Sequence, residues 1–219
     1  MKGLKVAVVG ATGMVGRVLL ERLERRRFPV GELLPFSSGR ARAAVPFRGR
    51  RVPAPGVSEA ALRAADLVFL VSSDEVSKRW GKSLAARGAW VIDDSSAFRL
   101  DPAVPLVIPE VNGAELRRER RLIAGPNCTI SGLAVAAAAV HRKAGVKRVR
   151  MASYQAVSGA GREALLEFYA QTRRAAKALS DAEFLRPLPG ERAAALPAPI
   201  AFNVFPQVGR FDAAGECSE

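Results

Sequence analysis

The junction between a buried run and a glycine turn constrains this chain most. Leu4-Lys5-Val6-Ala7-Val8-Val9 is short, apolar and β-branched, and reads as a strand buried in a parallel sheet. Gly10-Ala11-Thr12-Gly13-Met14-Val15-Gly16 follows, and Arg17-Val18-Leu19-Leu20-Glu21-Arg22-Leu23 then takes helical spacing. Strand, glycine turn and helix in this order are the context of a dinucleotide fingerprint. Gly10 permits the tight turn. Gly13 lets a pyrophosphate approach N–H groups at the helix start, and Gly16 lets the helix lie close on the strand. The spacing is GxxGxxG, a variant of GxGxxG. Gly10, Thr12, Gly13, Met14 and Val15 are the cofactor-binding candidates here.

A second strand is expected over Glu32 to Phe36. An NAD site usually places an acid near its end to hold the ribose 2′-hydroxyl. Here the chain reads Ser37-Ser38-Gly39-Arg40-Ala41-Arg42. Hydroxyls and guanidinium groups suit a 2′-phosphate, so Ser38 and Arg40 point to NADP rather than NAD. The alternative is an ordinary solvated basic loop.

Further along, Val45 to Val52 reads as a strand pair, and Ser58 opens a short helix. Leu67 to Val71 and Ala89 to Asp93 read as buried strands flanking a helix over Val76 to Arg87. This alternation predicts an α/β fold with a doubly wound, Rossmann-like parallel sheet over residues 1–127. Ligands bind such sheets at loops after strand C-termini. One such loop, Asp94-Ser95-Ser96-Ala97-Phe98-Arg99, offers hydroxyls and an arginine for a phosphate or carboxylate; a helix cap with a surface arginine is the plainer reading. Leu106 to Asn112 reads as a further strand and turn, and Leu122-Ile123 leads to Ala124-Gly125-Pro126-Asn127-Cys128-Thr129.

Cys128 stands where a helix over Thr129 to Lys143 begins, behind the turn and cap residues Pro126 and Asn127. A thiol there faces unpaired N–H groups and the positive end of the helix dipole, which favour thiolate. Cys128 is therefore a candidate nucleophile, set against the commoner fate of a buried, inert cysteine. His141, the only histidine, lies near the far end of that helix, on the order of 20 Å away, and reads as structural. Val146 to Val157 alternates as a strand and runs through Gln155 into Ser158-Gly159-Ala160-Gly161, before a helix over Arg162 to Leu179. Residues 180–201 read as a long loop, Phe202 to Pro206 as a short strand and Phe211 to Glu219 as a ragged end.

The net charge of +13 raises nucleic acid as a partner, but the 34 basic residues are interleaved with 21 acidic ones and no aromatic platform accompanies them. Neither a nucleic-acid partner nor a membrane span is expected, and no metal-ligand spacing occurs. Two cysteines, Cys128 and Cys217, form no disulfide framework, so a reducing cytoplasm is the expected compartment.

Taken in order, several stretches resemble the aspartate-β-semialdehyde dehydrogenase family. They are the glycine turn, Asp94 to Arg99, Val107-Ile108-Pro109-Glu110-Val111-Asn112, Pro126 to Thr129, Ser153 to Gly161 and Phe202-Asn203-Val204-Phe205-Pro206. The resemblance implies NADP-dependent reductive dephosphorylation of β-aspartyl phosphate to aspartate semialdehyde, a step toward lysine, methionine and threonine. It implies that Cys128 attacks the acyl phosphate to give a thioester, with NADPH as hydride donor. By the same resemblance Arg99 holds the substrate phosphate, Asn127 and Gln155 orient the reacting group, and Ser158 and Gly159 join the cofactor site. It implies that residues 128–219 form an α+β catalytic and dimerisation domain, incomplete because family members carry a histidine and an arginine in a later segment. A homodimer or homotetramer is the expected assembly. Two alternatives are kept: N-acetyl-γ-glutamyl-phosphate reductase, whose nucleophile motif fits Asn127-Cys128-Thr129 less well, and a non-catalytic paralogue or fragment binding NADP or a partner protein.

Overall fold

The computed structural model describes residues 3–39, 42–178, 193–208, 211 and 213–215. It divides into two compact units, Met1–Ala152 and Ser153–Glu219.

The first unit is built on a five-stranded sheet in the order β2-β1-β5-β6-β7. Its strands are β1 (Leu4–Val9), β2 (Val30–Phe36), β5 (Leu67–Leu70), β6 (Trp90–Asp93) and β7 (Leu122–Ala124), and all four pairings are parallel. A hairpin of β3 (Ala44–Phe47) and β4 (Arg50–Pro53) interrupts the series. Parallel strands need both faces covered, and the apolar residues alternate accordingly. Val6, Val8 and Leu67 pack with Leu20 and Leu23 of α1 (Met14–Arg25) and with Val45 and Phe47 of the hairpin. Ala7, Val9, Val68, Leu70 and Val91 pack on the other face with Leu62 of α2 (Glu59–Arg63) and Leu84 of α3 (Asp74–Ala86). The chain steps from β1 to β2 on one side, then crosses to β5, β6 and β7 on the other. The switch point therefore lies at the C-terminal ends of β1 and β5, where this class of sheet binds ligands.

Helix α3 carries Gly81 against Phe98, a buried side chain of the loop after β6. A Cβ at Gly81 would stand 2.7 Å from Phe98 Cε2 and 3.0 Å from Cζ. Gly81→Ala gains about 1 kcal/mol in helix propensity but overpacks the site, at about 1–3 kcal/mol. A net loss near 1 kcal/mol is expected in urea unfolding.

Three expected elements are corrected. Leu106 to Asn112 is not a strand: Leu106 makes a single parallel bridge to Ala124, and Pro109–Asn112 forms the short helix α4. Pro109 has no N–H for a ladder and suits a first helical turn. Asn112 closes the turn, its Oδ1 accepting from Ile108 N–H at 2.8 Å and its Nδ2 donating to the Leu106 carbonyl at 2.9 Å. Val146 to Val157 is extended coil ending in a 3-10 turn, Val157–Ala160, because no ladder partner stands beside it among the described residues. Val149, Met151 and Tyr154 along it are open to solvent, Tyr154 at 91 % exposure. Phe202 to Pro206 is irregular: Phe202 has φ 55°, and Asn203 Nδ2 folds back onto the Pro199 carbonyl at 2.8 Å.

Helix α5 (Cys128–Ala144) closes the first unit. It is rich in alanine and valine, yet no residue of it is buried. His141 sits in its last turn, where Nδ1 accepts from Val146 N–H at 3.0 Å, in keeping with a structural role.

In the second unit α6 (Arg162–Ala178) is clasped by the segment 193–203 through two side chains. Gln171, 1 % exposed, accepts on Oε1 from Ile200 N–H at 2.8 Å and Ala201 N–H at 3.1 Å. Its Nε2 donates to Glu167 Oε1, and Glu167 Oε2 accepts from the amides of Ala194 and Ala195.

Candidate active site

Gly10 leaves β1 with φ 94°, and a Cβ there would fall 2.3 Å from the Val71 carbonyl oxygen. At Gly16 it would fall 2.2 Å from the Gly10 carbonyl oxygen. Both glycines are thus required by close backbone approach, one against the residue just past β5 and one between α1 and the turn. The Gly10 and Ala11 amides donate to the Phe36 carbonyl at 3.1 and 2.9 Å, tying the turn to β2. Gly13 caps α1 with no side chain, and the helix has no acid in its first turn. Its first intrahelical bond runs from Arg17 N–H to the Gly13 carbonyl. The amides of Met14, Val15 and Gly16 therefore have no helical acceptor and face outward with the dipole's positive end. A bare, acid-free helix start with no Cβ at Gly13 is a cradle for a diphosphate.

Ser37, at the end of β2, is buried and structural: its hydroxyl donates to the Ala54 carbonyl at 2.8 Å and accepts from Gly39 N–H at 3.2 Å. That bracing leaves Ser38 exposed at the rim. Arg40 lies outside the described residues, as does Cys217.

Arg99 is half-buried and reaches across from the loop after β6. Its Nε donates to the Gly125 carbonyl at 3.0 Å and its Nη2 to the Asp94 carbonyl at 3.0 Å. The plainer reading, a solvated surface arginine, does not describe this side chain. The Asp94 carboxyl lies against Gly125, where a Cβ would come within 3.2 Å of Oδ1. Burial pushes Asp94 above the ordinary carboxylate range, with the Arg99 guanidinium opposing.

Asp74, at the start of α3, accepts from the Ser96 hydroxyl at 2.6 Å and the Ser96 amide at 3.0 Å. The hydroxyl bond, then the amide, hold its carboxyl below the ordinary range against partial burial. A depressed folded-state pKa means stability that is present above the unfolded value and lost as pH falls through the folded one. Asp74→Asn should therefore differ from the parent most at neutral pH. Urea midpoints measured from about pH 7 to about pH 3 should converge below about pH 4. A difference constant with pH would contradict the role given to this carboxylate.

Cys128 is the first residue of α5, free and exposed. The expectation of a thiol at a helix start holds, and the buried alternative does not. Asn127 caps the helix: its Oδ1 accepts from Thr129 N–H at 2.9 Å and from the Thr129 hydroxyl at 2.6 Å, leaving Nδ2 as its donor. Gly125 is pinned in turn, its amide donating to the Asp93 carbonyl at 2.7 Å. The thiol thus follows three residues after the carbonyl that anchors Arg99.

The glycine turn, Ser38, Arg99, Asn127 and Cys128 all follow the C-terminal ends of sheet strands in the first unit. Gln155, Ser158 and Gly159 belong to the second unit, where all three are exposed. The loop hydroxyls that the sequence offered to an anion are turned inward instead, Ser95 donating to Asp93 and Ser96 to Asp74, partners that only the fold brings to them. A cavity of about 370 Å³ lies elsewhere, between α4 and α5, lined by alanines with Val111, Val146, His141 and Arg142. Neither Cys128 nor the glycine turn lines it, so the strand ends are the better site. Among the described residues no cluster of metal ligands occurs, and no helix is long and apolar enough to cross a membrane.

Comparison with known proteins bears on the fold and the family. Residues 5–119 match the family model described as semialdehyde dehydrogenase, NAD binding domain, and residues 137–219 the one described as semialdehyde dehydrogenase, dimerisation domain. An aspartate-semialdehyde dehydrogenase of Synechocystis sp. is 38% identical over 218 residues, covering 99% of this chain and 61% of the relative. One from Bacillus subtilis is 37% identical, covering 96% and 60%. The crystal structure of aspartate semialdehyde dehydrogenase II from Vibrio cholerae superposes with a TM-score of 0.87 at 35% identity, over 100% of this chain and 63% of that one. The chain thus spans about three fifths of the length of the relatives it matches.

Proposed function

The chain belongs to the semialdehyde dehydrogenase family, and we propose that it supplies the nucleotide site and the nucleophile of an NADP-dependent aspartate-semialdehyde dehydrogenase. The reaction is reductive dephosphorylation of β-aspartyl phosphate, a cytoplasmic step toward lysine, methionine, threonine and diaminopimelate. Cys128 Sγ attacks the acyl carbon, and the carbon–oxygen bond to phosphate breaks with its electron pair leaving on phosphate. A thioester on Cys128 keeps the acyl group activated. NADPH, when bound, supplies the hydride that takes this group to the aldehyde level. Breaking the carbon–sulfur bond then returns the sulfur as thiolate and frees the aldehyde.

Gly10, Thr12, Gly13, Met14 and Val15 hold the diphosphate, and Ser38 with Arg40 receives the 2′-phosphate. Arg99 holds the substrate phosphate, already half-buried and oriented by two carbonyls. Asn127 offers Nδ2 to the acyl oxygen, since its Oδ1 is committed to the cap. In the second unit, the family resemblance assigns Gln155 an orienting role and Ser158 and Gly159 a cofactor-binding role. The dimerisation-domain match supports a homodimer.

The observation carrying this reading is the short frame Gly125 to Cys128, which joins the anion-binding guanidinium to the free thiol. Site-resolved alkylation by iodoacetamide tests it. Inorganic phosphate should slow labelling of Cys128, and Arg99→Lys, which loses the planar fork, should raise the phosphate needed by about tenfold. Labelling indifferent to phosphate in the parent chain would refute the role of Arg99.

A further inference from the structure

We propose that Asp93 is a positioning residue that fixes Arg99 through Ser95; the inference rests on the reading of Arg99 as the phosphate-binding group. Asp93 ends β6 with 0 % exposure. Its Oδ1 accepts from the Ser77 hydroxyl of α3, and its Oδ2 from the Ser95 hydroxyl at 2.8 Å. Ser95 Oγ accepts in turn from Ala97 N–H at 3.1 Å, which folds the turn leading to Arg99. The backbone carbonyl of Asp93 takes the Gly125 amide, while the Gly125 carbonyl takes Arg99 Nε. One residue therefore holds both ends of the frame on which the guanidinium hangs.

A buried carboxylate is costly, and among the described residues no cation pairs with this one. Its chemistry explains the choice. A carboxylate only accepts, so both serine hydrogens must point at it, and the Ser95 lone pairs are freed for the Ala97 amide. An asparagine would donate to one hydroxyl and turn it around. Apolar side chains would leave both hydroxyls unpaired. The arrangement gives the 94–99 loop one hydrogen-bonded conformation.

Ser77 and Ser95 share the same carboxylate, but only Ser95 belongs to the loop bearing Arg99. Ser95→Ala and Ser77→Ala in the 219-residue chain therefore separate positioning from simple stabilisation. Two readouts are taken: the phosphate concentration that half-protects Cys128 from iodoacetamide, and solvent exchange of the Arg99 Nε–H by nitrogen-15 NMR. Ser95→Ala and Asp93→Asn should weaken phosphate protection by about tenfold and speed Nε–H exchange by a similar factor. Ser77→Ala should lower the thermal midpoint yet leave both readouts within about twofold, and Ser95→Thr should restore them.

Equal effects of the two alanine variants, or an unchanged Nε–H in Ser95→Ala, would overturn the proposal. If phosphate fails to protect even the parent chain, the phosphate-binding reading of Arg99 falls. The exchange rates then decide the positioning claim alone. If Asp93→Asn does not fold, the contrast between Ser95→Ala and Ser77→Ala decides it.

Discussion

Replacing Gly10 with alanine is expected to destabilise the first unit by roughly 2–5 kcal/mol and to remove its nucleotide affinity. Two effects add. A β-carbon at φ 94° costs about 1–2 kcal/mol in the left-handed region. The same atom would stand 2.3 Å from the Val71 carbonyl, which is backbone just past β5, tied to Val9 by the Val71 amide, and cannot rotate away. Forcing β1 and β5 apart at the switch point costs about 1–3 kcal/mol more. Against a typical total of 5–15 kcal/mol this is a large share. Trp80 and Trp90 both lie in this unit, so urea unfolding followed by tryptophan fluorescence reads the loss directly. NADP titration reads the second effect. An unchanged midpoint would mean that the turn is not built as described.

The second large effect concerns the thiol. Cys128→Ser should abolish site-resolved alkylation at position 128. It should also lower any phosphate- and NADP-dependent oxidation of aspartate semialdehyde by on the order of 10³-fold or more. Stability should hardly move, because Cys128 is exposed and the α5 cap is carried by Asn127. That combination separates a chemical role from a structural one. Turnover surviving the substitution would remove Cys128 from the mechanism.

These two positions also show what was legible in the sequence. The first strand, glycine turn and helix were readable because the constraint is local: an apolar run, then glycines where backbone meets backbone. The cysteine at a helix start was readable for the same reason. Leu106 to Asn112 misled because its apolar content matched a strand, while Pro109 and the Asn112 side chain committed it to a turn. Val146 to Val157 misled because alternation specifies a strand only when something pairs with it. Asp93 was invisible for a different reason. It looks like a polar strand end until the fold brings Ser77 of α3 and Ser95 of the loop onto its two oxygens. Gln171 behaves likewise, buried only because the amides of Ile200 and Ala201 fold back to it. Sequence patterns report periodicity and turn chemistry; hydrogen bonds between distant segments come with the tertiary structure.

Mass spectrometry of the tryptic peptide Leu122 to Arg142, after exposure of the chain to β-aspartyl phosphate without reductant, bears most directly on the sulfur's part in the chemistry. An aspartyl thioester confined to Cys128, released by hydroxylamine and diminished in Arg99→Lys, is the result this account predicts. Cofactor-dependent turnover with Cys128 unacylated, or acylation indifferent to Arg99, would contradict it.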